Sequence, residues 1–424
     1  MSLAPMVSAV SSSWRKRTHD EYDPGRIAPA SVERRTHPTV TENTLHIGRD
    51  APSNIVIRWS QAVEKHYDSV HLPLTGRDPL DGKIRLGITR DFFDQDGNLA
   101  IPGPGLRLFK EMPEIEYCVF DQFLPEVAAE QLHGCDMVIS AGAQWTERSL
   151  LGNDRLIALL YTGVGYDHID VEALTNAGVM LCFAPDAVRR PMACTVMTFI
   201  LALAMRLMAK DKITRQGRWS EQDDYHGEGL TGKTLGSIGV GNIGHEVFVL
   251  AKPFEMRHLG CDPYLKQEAV SDVGVELVDM DTLLAESDFV SISVPLNEDT
   301  RHLVGEEELR KMKPSAYLIN TSRGPVVDEA ALIQALQEGW VQGAGIDVFE
   351  QEPVDPDNPI LRMDNVVVSP HSLGHTDEYF KLAWSDKLHQ AAQILLGKIP
   401  DSLVNKEVLE NPEFQAKFRK FQEL

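Results

Sequence analysis

Beyond about residue 80, apolar residues gather in short runs that close on glycine, proline or polar residues, with stretches of helical spacing between them. In the first half the runs are KIRLGITRDF (residues 83–92), EYCVFDQF, DMVISAGA, LIALLYTGVG and GVMLCFAP, and GLRLFKEM (105–112) is spaced as a helix. Short runs apolar on both faces suit strands covered on both sides, and their alternation with helices predicts parallel α/β sheets. Residues 191–210, PMACTVMTFILALAMRLMAK, are apolar nearly all round. A membrane span has the same look, but Thr195, Thr198 and Arg206 interrupt it, so a helix buried between two domains is predicted. After Thr231 the alternation restarts through LGSIGVG, VELVD, DFVSISVP, AYLINTS, VQGAGIDVF and NVVVSPHS. Residues 1 to about 80 have no such period, although the patch NIVIRW (54–59) is able to pair or dock.

A chain of 424 residues exceeds the size of one core, so two domains are expected. The net charge of -22 argues against nucleic acid and anionic membrane surfaces as partners. The dense basic runs, Arg15-Lys16-Arg17 and Arg34-Arg35, lie in the irregular opening. Cys118, Cys135, Cys182, Cys194 and Cys261 are scattered without a CxxC pair, which predicts buried free thiols and no metal site. Residues 1–20 lack an apolar core of the signal-peptide kind, and a soluble cytoplasmic chain is expected. Their Ser- and Arg-bearing, acid-free composition up to Asp20 has a faint likeness to an organelle transit peptide.

Residues 235–244 read LGSIGVGNIG, and the acid Asp262 closes the next apolar stretch. Gly239 permits a tight turn after a strand, Gly241 leaves bare backbone for a pyrophosphate, and Gly244 lets the following helix pack closely. Asn242 and Ile243 open that helix, whose positive end receives phosphate charge. Asp262 would accept both adenosine ribose hydroxyls and repel an extra phosphate, so NAD is expected over NADP, with Arg257 and His258 nearby as the features that oppose this. Ser237 is expected to bond its hydroxyl to backbone.

Ligands in doubly wound sheets bind beyond the carboxyl ends of the strands. Three such ends carry groups able to act on a carbonyl: Arg323 after LINTS, Glu352 after IDVFEQ and His371 after VVVSP. Singly, each has a plainer reading, as a surface ion pair, a solvated loop acid and a capping histidine. Jointly, at one edge of one sheet, they suggest chemistry.

The chain resembles the D-isomer-specific 2-hydroxyacid dehydrogenases over residues 83–409. The likeness rests on TGVGYDHIDVEAL (162–174), LGSIGVGNIG, LLAESDFVSISVPLNEDTRHLVG (283–305), MKPSAYLINTSRGPVVDEAAL (312–332), GIDVFEQEP (345–353) and SPHSLGHT (369–376). It implies two doubly wound domains behind an N-terminal extension (1–82). A Rossmann NAD-binding domain (187–370) is inserted into a flavodoxin-like substrate domain (83–186 and 371–424). It further implies a catalytic set of Arg323, Glu352 and His371. Pro295, Thr321 and Asp347 would face the cofactor, Asp347 accepting the nicotinamide amide. Backbone N–H groups of Ala141, Gly142 and Ala143 would join Arg323 in holding a carboxylate.

On that reading a small 2-keto acid is reduced to its D-2-hydroxy acid. Arg323 holds the carboxylate and polarises the carbonyl; His371, of a residue type that titrates near ~6.5, passes the proton; Glu352 orients the imidazole. Glu352 in place of a glutamine disfavours formate, and the absence of basic residues in SAGAQWT disfavours a phosphorylated acid, leaving glyoxylate or hydroxypyruvate preferred. Alternatives are phosphite or phosphoglycerate oxidation on the same fold, or a corepressor-like NAD-sensing scaffold with its partner site in the extension. A homodimer through the nucleotide-binding domains is implied. Met192-Ala193-Cys194 stands where Val-Ala-Glu is usual, and Ser293 where His or Asn is common. Trp145 and the stripe Phe414, Phe418, Phe421 are expected to serve packing.

Overall fold

The computed structural model describes residues 46–51, 54–58, 70–73, 84–94, 99 and 115–423. The expected helix at 105–112 and the features of residues 1–20 lie outside them. The patch NIVIRW contributes a paired strand: β1 (His46–Ala51), β2 (Asn54–Arg58) and β3 (Val70–Pro73) form an antiparallel sheet within the stretch expected to be irregular.

Five parallel strands follow: β4 (Ile84–Ile88), β5 (Ile115–Val119), β6 (Met137–Ser140), β7 (Ala158–Tyr161) and β8 (Met180–Cys182), in the order β5-β4-β6-β7-β8. A second, seven-stranded parallel sheet holds β9 (Thr234–Ile238), β10 (Arg257–Cys261), β11 (Val275–Leu277), β12 (Phe289–Ile292), β13 (Tyr317–Asn320), β14 (Gly343–Ile346) and β15 (Val366–Val368). Its order is β11-β10-β9-β12-β13-β14-β15. Both orders reverse direction beside their first strand, the arrangement of flavodoxin-like and Rossmann sheets respectively. Strands β12, β13 and β14 are buried at every position, which is why their sequences read as unbroken apolar runs rather than alternating ones.

The long apolar segment forms the Pro185–Ala204 helix between the two sheets. It is long and apolar enough to cross a membrane by length and composition. Here Val196, Phe199, Ile200 and Leu203 pack with Leu235, Phe248 and Phe289 of the seven-stranded layer. Phe199 lies against Gly345, where any Cβ would meet it at 2.7 Å. The expected helix over 191–210 needs correction at both ends. It starts at Pro185, whose fixed φ suits a first turn, and stops before Arg206, which at φ 50° is left-handed and starts a separate helix, Leu207–Arg215.

After β15 the Asp377–Leu395 helix returns to the five-stranded sheet, placing Trp384 and Leu388 in its core together with Phe414 and Phe421. The C-terminal phenylalanine stripe is packing, and so is Trp145, buried with its indole N–H donating to the Ser140 hydroxyl at 3.1 Å. The cysteines are all free but not all buried: Cys118 and Cys194 are exposed, and the Cys118 and Cys135 sulfurs stand 4.0 Å apart. Cys118 lies on β5, an edge strand, where an apolar neighbourhood in sequence does not imply cover in space.

Candidate active site

The glycine turn follows β9. Gly239 takes φ +84°, and a Cβ there would sit 2.5 Å from the Ser293 carbonyl; a Cβ on Gly244 would sit 2.4 Å from the Gly239 carbonyl. Gly241 has open space around its would-be Cβ. Two glycines are therefore demanded by packing, while the third leaves a gap beside the N-terminus of the Asn242–Ala251 helix. That gap, with backbone N–H groups aimed into it, fits a dinucleotide pyrophosphate. The Asn242 amide side chain is turned to the Pro185 carbonyl at 3.1 Å, and Ile243 joins the apolar layer, so both serve through backbone and packing. Ser237 donates to the Gly239 carbonyl at 2.7 Å, stiffening the turn as expected.

Asp262 closes β10 and accepts the backbone N–H groups of Val240 and Tyr264, each at 3.0 Å, one on each carboxylate oxygen. Each oxygen keeps a further lone pair for a ribose hydroxyl. Arg257 pairs with Glu276 and Glu286, and His258 is buried with Nδ1 bonded to the Val273 carbonyl, so neither offers a site for an added phosphate. Pro295 follows β12 and its carbonyl accepts the Thr300 hydroxyl at 2.7 Å; Thr321 follows β13 and is buried.

β13, β14 and β15 are parallel neighbours, so the groups after their carboxyl ends share one edge. The Glu352 carboxylate accepts from His371 Nδ1 at 2.7 Å through one oxygen and from the Phe349 N–H at 3.0 Å through the other. Burial pushes the Glu352 carboxyl up, but the His371 hydrogen bond and charge, the Phe349 N–H and the Arg323 charge outweigh this and hold it below the usual range. His371 itself adopts φ 51°, a left-handed conformation uncommon for a side-chain-bearing residue, and its N–H donates to the Asp347 carbonyl at 2.7 Å. The Asp347 carboxylate is buried and receives the Ser369 hydroxyl and the Ser372 and Leu373 N–H groups, which tie the loop after β15 down.

Arg323 does not point freely to solvent. Its Nε donates to Asp167 at 2.7 Å, Nη2 to the Gly165 carbonyl at 2.6 Å and Nη1 to the Ser322 carbonyl at 2.9 Å. Gly165 and Asp167 belong to the loop after β7, so the arginine reaches from one sheet to the other. Burial raises the Asp167 carboxyl, and the Arg323 charge and hydrogen bond more than reverse that, leaving it below its ordinary value. His168 Nε2 donates to the Ala141 carbonyl at 3.3 Å, and the imidazole, lowered chiefly by burial, favours its neutral form.

In the 140–143 loop, the Gly142 N–H donates to the Asp91 carboxylate at 2.7 Å, whose other oxygen receives the Thr89 hydroxyl. A side-chain carboxylate thus already sits on one amide expected to hold a substrate carboxylate. Asp91, Gly165, Asp167 and His168 join the site without having been marked by the sequence pattern. The last three lie inside the TGVGYDHID block; nothing in residue type or spacing tells which of its acids reaches across to Arg323. On the Pro185–Ala204 helix, Arg190 pairs at 2.8 Å with the buried Glu246, an acid supplied by the Asn242–Ala251 helix near the place where Cys194 stands instead of Glu.

The sequence profile of the family described as D-isomer specific 2-hydroxyacid dehydrogenase, NAD binding domain, matches residues 197–372. A glyoxylate reductase of Korarchaeum cryptofilum is 38% identical over 347 residues, covering 78% of this chain and 100% of its own. The chain belongs to the D-isomer-specific 2-hydroxyacid dehydrogenase family. A glyoxylate reductase of Thermococcus litoralis is 39% identical over 321 residues, 73% of this chain and 96% of its own. Among solved structures, the D-lactate dehydrogenase of Aquifex aeolicus complexed with NAD and lactic acid aligns with a TM-score of 0.65 at 27% identity, over 77% of this chain and 97% of the other. As a member of this family, the chain is an NAD-binding dehydrogenase acting on CH–OH groups. Among the described residues no cluster of metal-ligating side chains accompanies the dehydrogenase site.

Proposed function

We propose that this dehydrogenase reduces a small unphosphorylated 2-keto acid, glyoxylate or hydroxypyruvate, to the D-2-hydroxy acid, with Arg323, Glu352 and His371 as its catalytic set. The observation that carries the reading is the 2.7 Å bond between His371 Nδ1 and a Glu352 carboxylate kept ionised, on the strand edge that also carries Arg323. NAD, when bound, supplies or takes the hydride.

With Nδ1 committed to Glu352, the proton for the carbonyl oxygen resides on Nε2. Glu352 fixes the ring orientation by accepting from Nδ1, which turns Nε2 toward the oxygen that takes the proton. Arg323 keeps N–H groups for the keto-acid oxygens, where a planar fork both orients the carboxylate and stabilises charge growing on the carbonyl oxygen. Gly239, Gly241, Gly244 and Asp262 hold the dinucleotide, and Asp347 faces its nicotinamide amide.

Asp91 shapes the substrate choice. Its carboxylate beside the Gly142 amide opposes a second negative group, such as a phosphate, and tolerates hydrogen or a hydroxymethyl group. A D-3-phosphoglycerate dehydrogenase of Methanocaldococcus jannaschii is 37% identical over 302 residues, but these are only 57% of its length. The reading includes a cytoplasmic homodimer. Rates of NADH and NADPH oxidation with glyoxylate, hydroxypyruvate, pyruvate and phosphohydroxypyruvate test the proposal. NADH with glyoxylate or hydroxypyruvate should give the highest kcat/KM; preference for the phosphorylated acid would overturn it.

A further inference from the structure

Arg323 is anchored on the seven-stranded sheet, yet two of its three hydrogen bonds end on the loop after β7 of the other sheet. We infer that the dipeptide Asp167-His168 is the positioning element of the substrate-carboxylate site. Asp167 sets the guanidinium from one side, and His168 sets the 140–143 loop from the other. The inference rests on the reading of Arg323 as the carboxylate-binding group.

A guanidinium has five N–H donors. Asp167 takes the one on Nε, Gly165 one on Nη2 and Ser322 one on Nη1, which leaves one N–H on each terminal nitrogen. Those two remaining donors are the fork a 2-keto acid needs, and their direction is fixed by the three bonds already made. The ion pair is partly buried, with the arginine and aspartate side chains 21% and 30% exposed, so it is less screened than a surface pair. The loop that supplies it is itself held. Tyr161, buried, donates its hydroxyl to the same Gly165 carbonyl at 3.0 Å and packs edge-on against His168 with ring centres 5.2 Å apart. The Trp145 N–H donates to the His168 carbonyl at 3.2 Å. His168 then spans to Ala141, one residue before the amide on which Asp91 rests. Gly165 has no alternative: a Cβ there would fall 1.7 Å from Arg323 Nη2, so even alanine evicts the guanidinium.

The test reads substrate and cofactor separately. Asp167→Ala and Gly165→Ala should each lower kcat/KM for glyoxylate about 30- to 300-fold, with kcat falling at least about tenfold because the guanidinium acts on the carbonyl as well as the carboxylate. Asp167→Asn keeps an acceptor for Nε and should recover to within about tenfold of the parent enzyme. NADH dissociation constants should stay unchanged in all three. His168→Phe, which keeps the ring but cannot donate to Ala141, should raise the keto-acid KM about three- to tenfold with kcat nearly constant. Binding of oxamate, a non-reducible keto-acid isostere, to the NADH complex supplies the decisive cycle. Asp167→Ala should weaken it in the parent and change nothing further in an Arg323→Ala background. An equal loss in both backgrounds, a parent-like Asp167→Ala together with a parent-like Gly165→Ala, or an unchanged KM in His168→Phe overturns the inference while leaving Arg323 in its role. Unimpaired oxamate binding by Arg323→Ala would instead overturn the reading on which it rests.

Discussion

His371 is held in a backbone conformation that costs roughly 1–2 kcal/mol for an L-residue, and two groups hold it there: the Asp347 carbonyl and the Glu352 carboxylate. A strained residue with its ring clamped is pre-aimed rather than searching. His371→Ala should cost on the order of 10² to 10⁴ in kcat/KM, measured at saturating NADH. Glu352→Gln should cost about 10²-fold or more, since an amide can still accept from Nδ1 but brings no negative charge to the proton transfer. Because the Glu352 carboxyl is held below its ordinary range, it stays ionised as pH falls through about 4.3, and its contribution is lost only beyond that, below its lowered folded value. Asp91 acts in the opposite sense. Removing it frees the Gly142 amide and takes a negative charge from the site, so Asp91→Ala should lower the glyoxylate KM about three- to tenfold and lower that for phosphohydroxypyruvate by more. A rise in both would show that Asp91 only braces the loop.

At the level of elements, the chemistry is a property of strand ends. β13, β14 and β15 end at Asn320, Ile346 and Val368, and the turns that follow them carry Arg323, Glu352 and His371. In the glycine turn, Gly241→Val fills the one gap that packing does not need. The fold should survive, with an unchanged melting temperature, while NADH binds about 10- to 100-fold more weakly. The runs LGSIGVG, VELVD, DFVSISVP, AYLINTS, VQGAGIDVF and NVVVSPHS each contain a strand, most plainly at β12, β13 and β14, where burial on both faces leaves an unbroken apolar pattern. The shared edge of Arg323, Glu352 and His371 was legible in the same way, since each stands directly after such a run. Asp91, Asp167 and His168 were not, because they act through contacts 51, 156 and 27 residues away in the chain, and spacing along a sequence carries no such information. The break at Arg206 was hidden too, since no glycine or proline marks it.

Across the whole molecule, histidines shielded from water, His258 fully and His168 and His375 in part, link stability to pH. His258 packs against Phe248, with Nε2 buried and lacking a hydrogen bond, and burial lowers its pKa; His168 and His375 are lowered for the same first cause. The unfolded chain therefore binds protons more readily than the folded one as pH drops through about 6.5, and stability present above that pH is lost below it. The urea midpoint should fall between pH 7.5 and 5.5, and His258→Phe should reduce that fall. Met205, Leu207, Met208 and Trp219 are exposed large apolar side chains in one stretch of the nucleotide-binding body, and they suit the proposed homodimer contact. Trp219→Glu combined with Met208→Glu should shift sedimentation from dimer to monomer; a monomeric parent enzyme would remove that proposal.

The reach of Arg323 across the molecule has one more consequence. A fragment cut to carry the seven strands alone would keep its pyrophosphate cradle, yet its arginine would swing loose, stripped of Asp167 and Gly165. Such a piece would take up NADH and spend none of it on a keto acid: half an enzyme that stores its reductant.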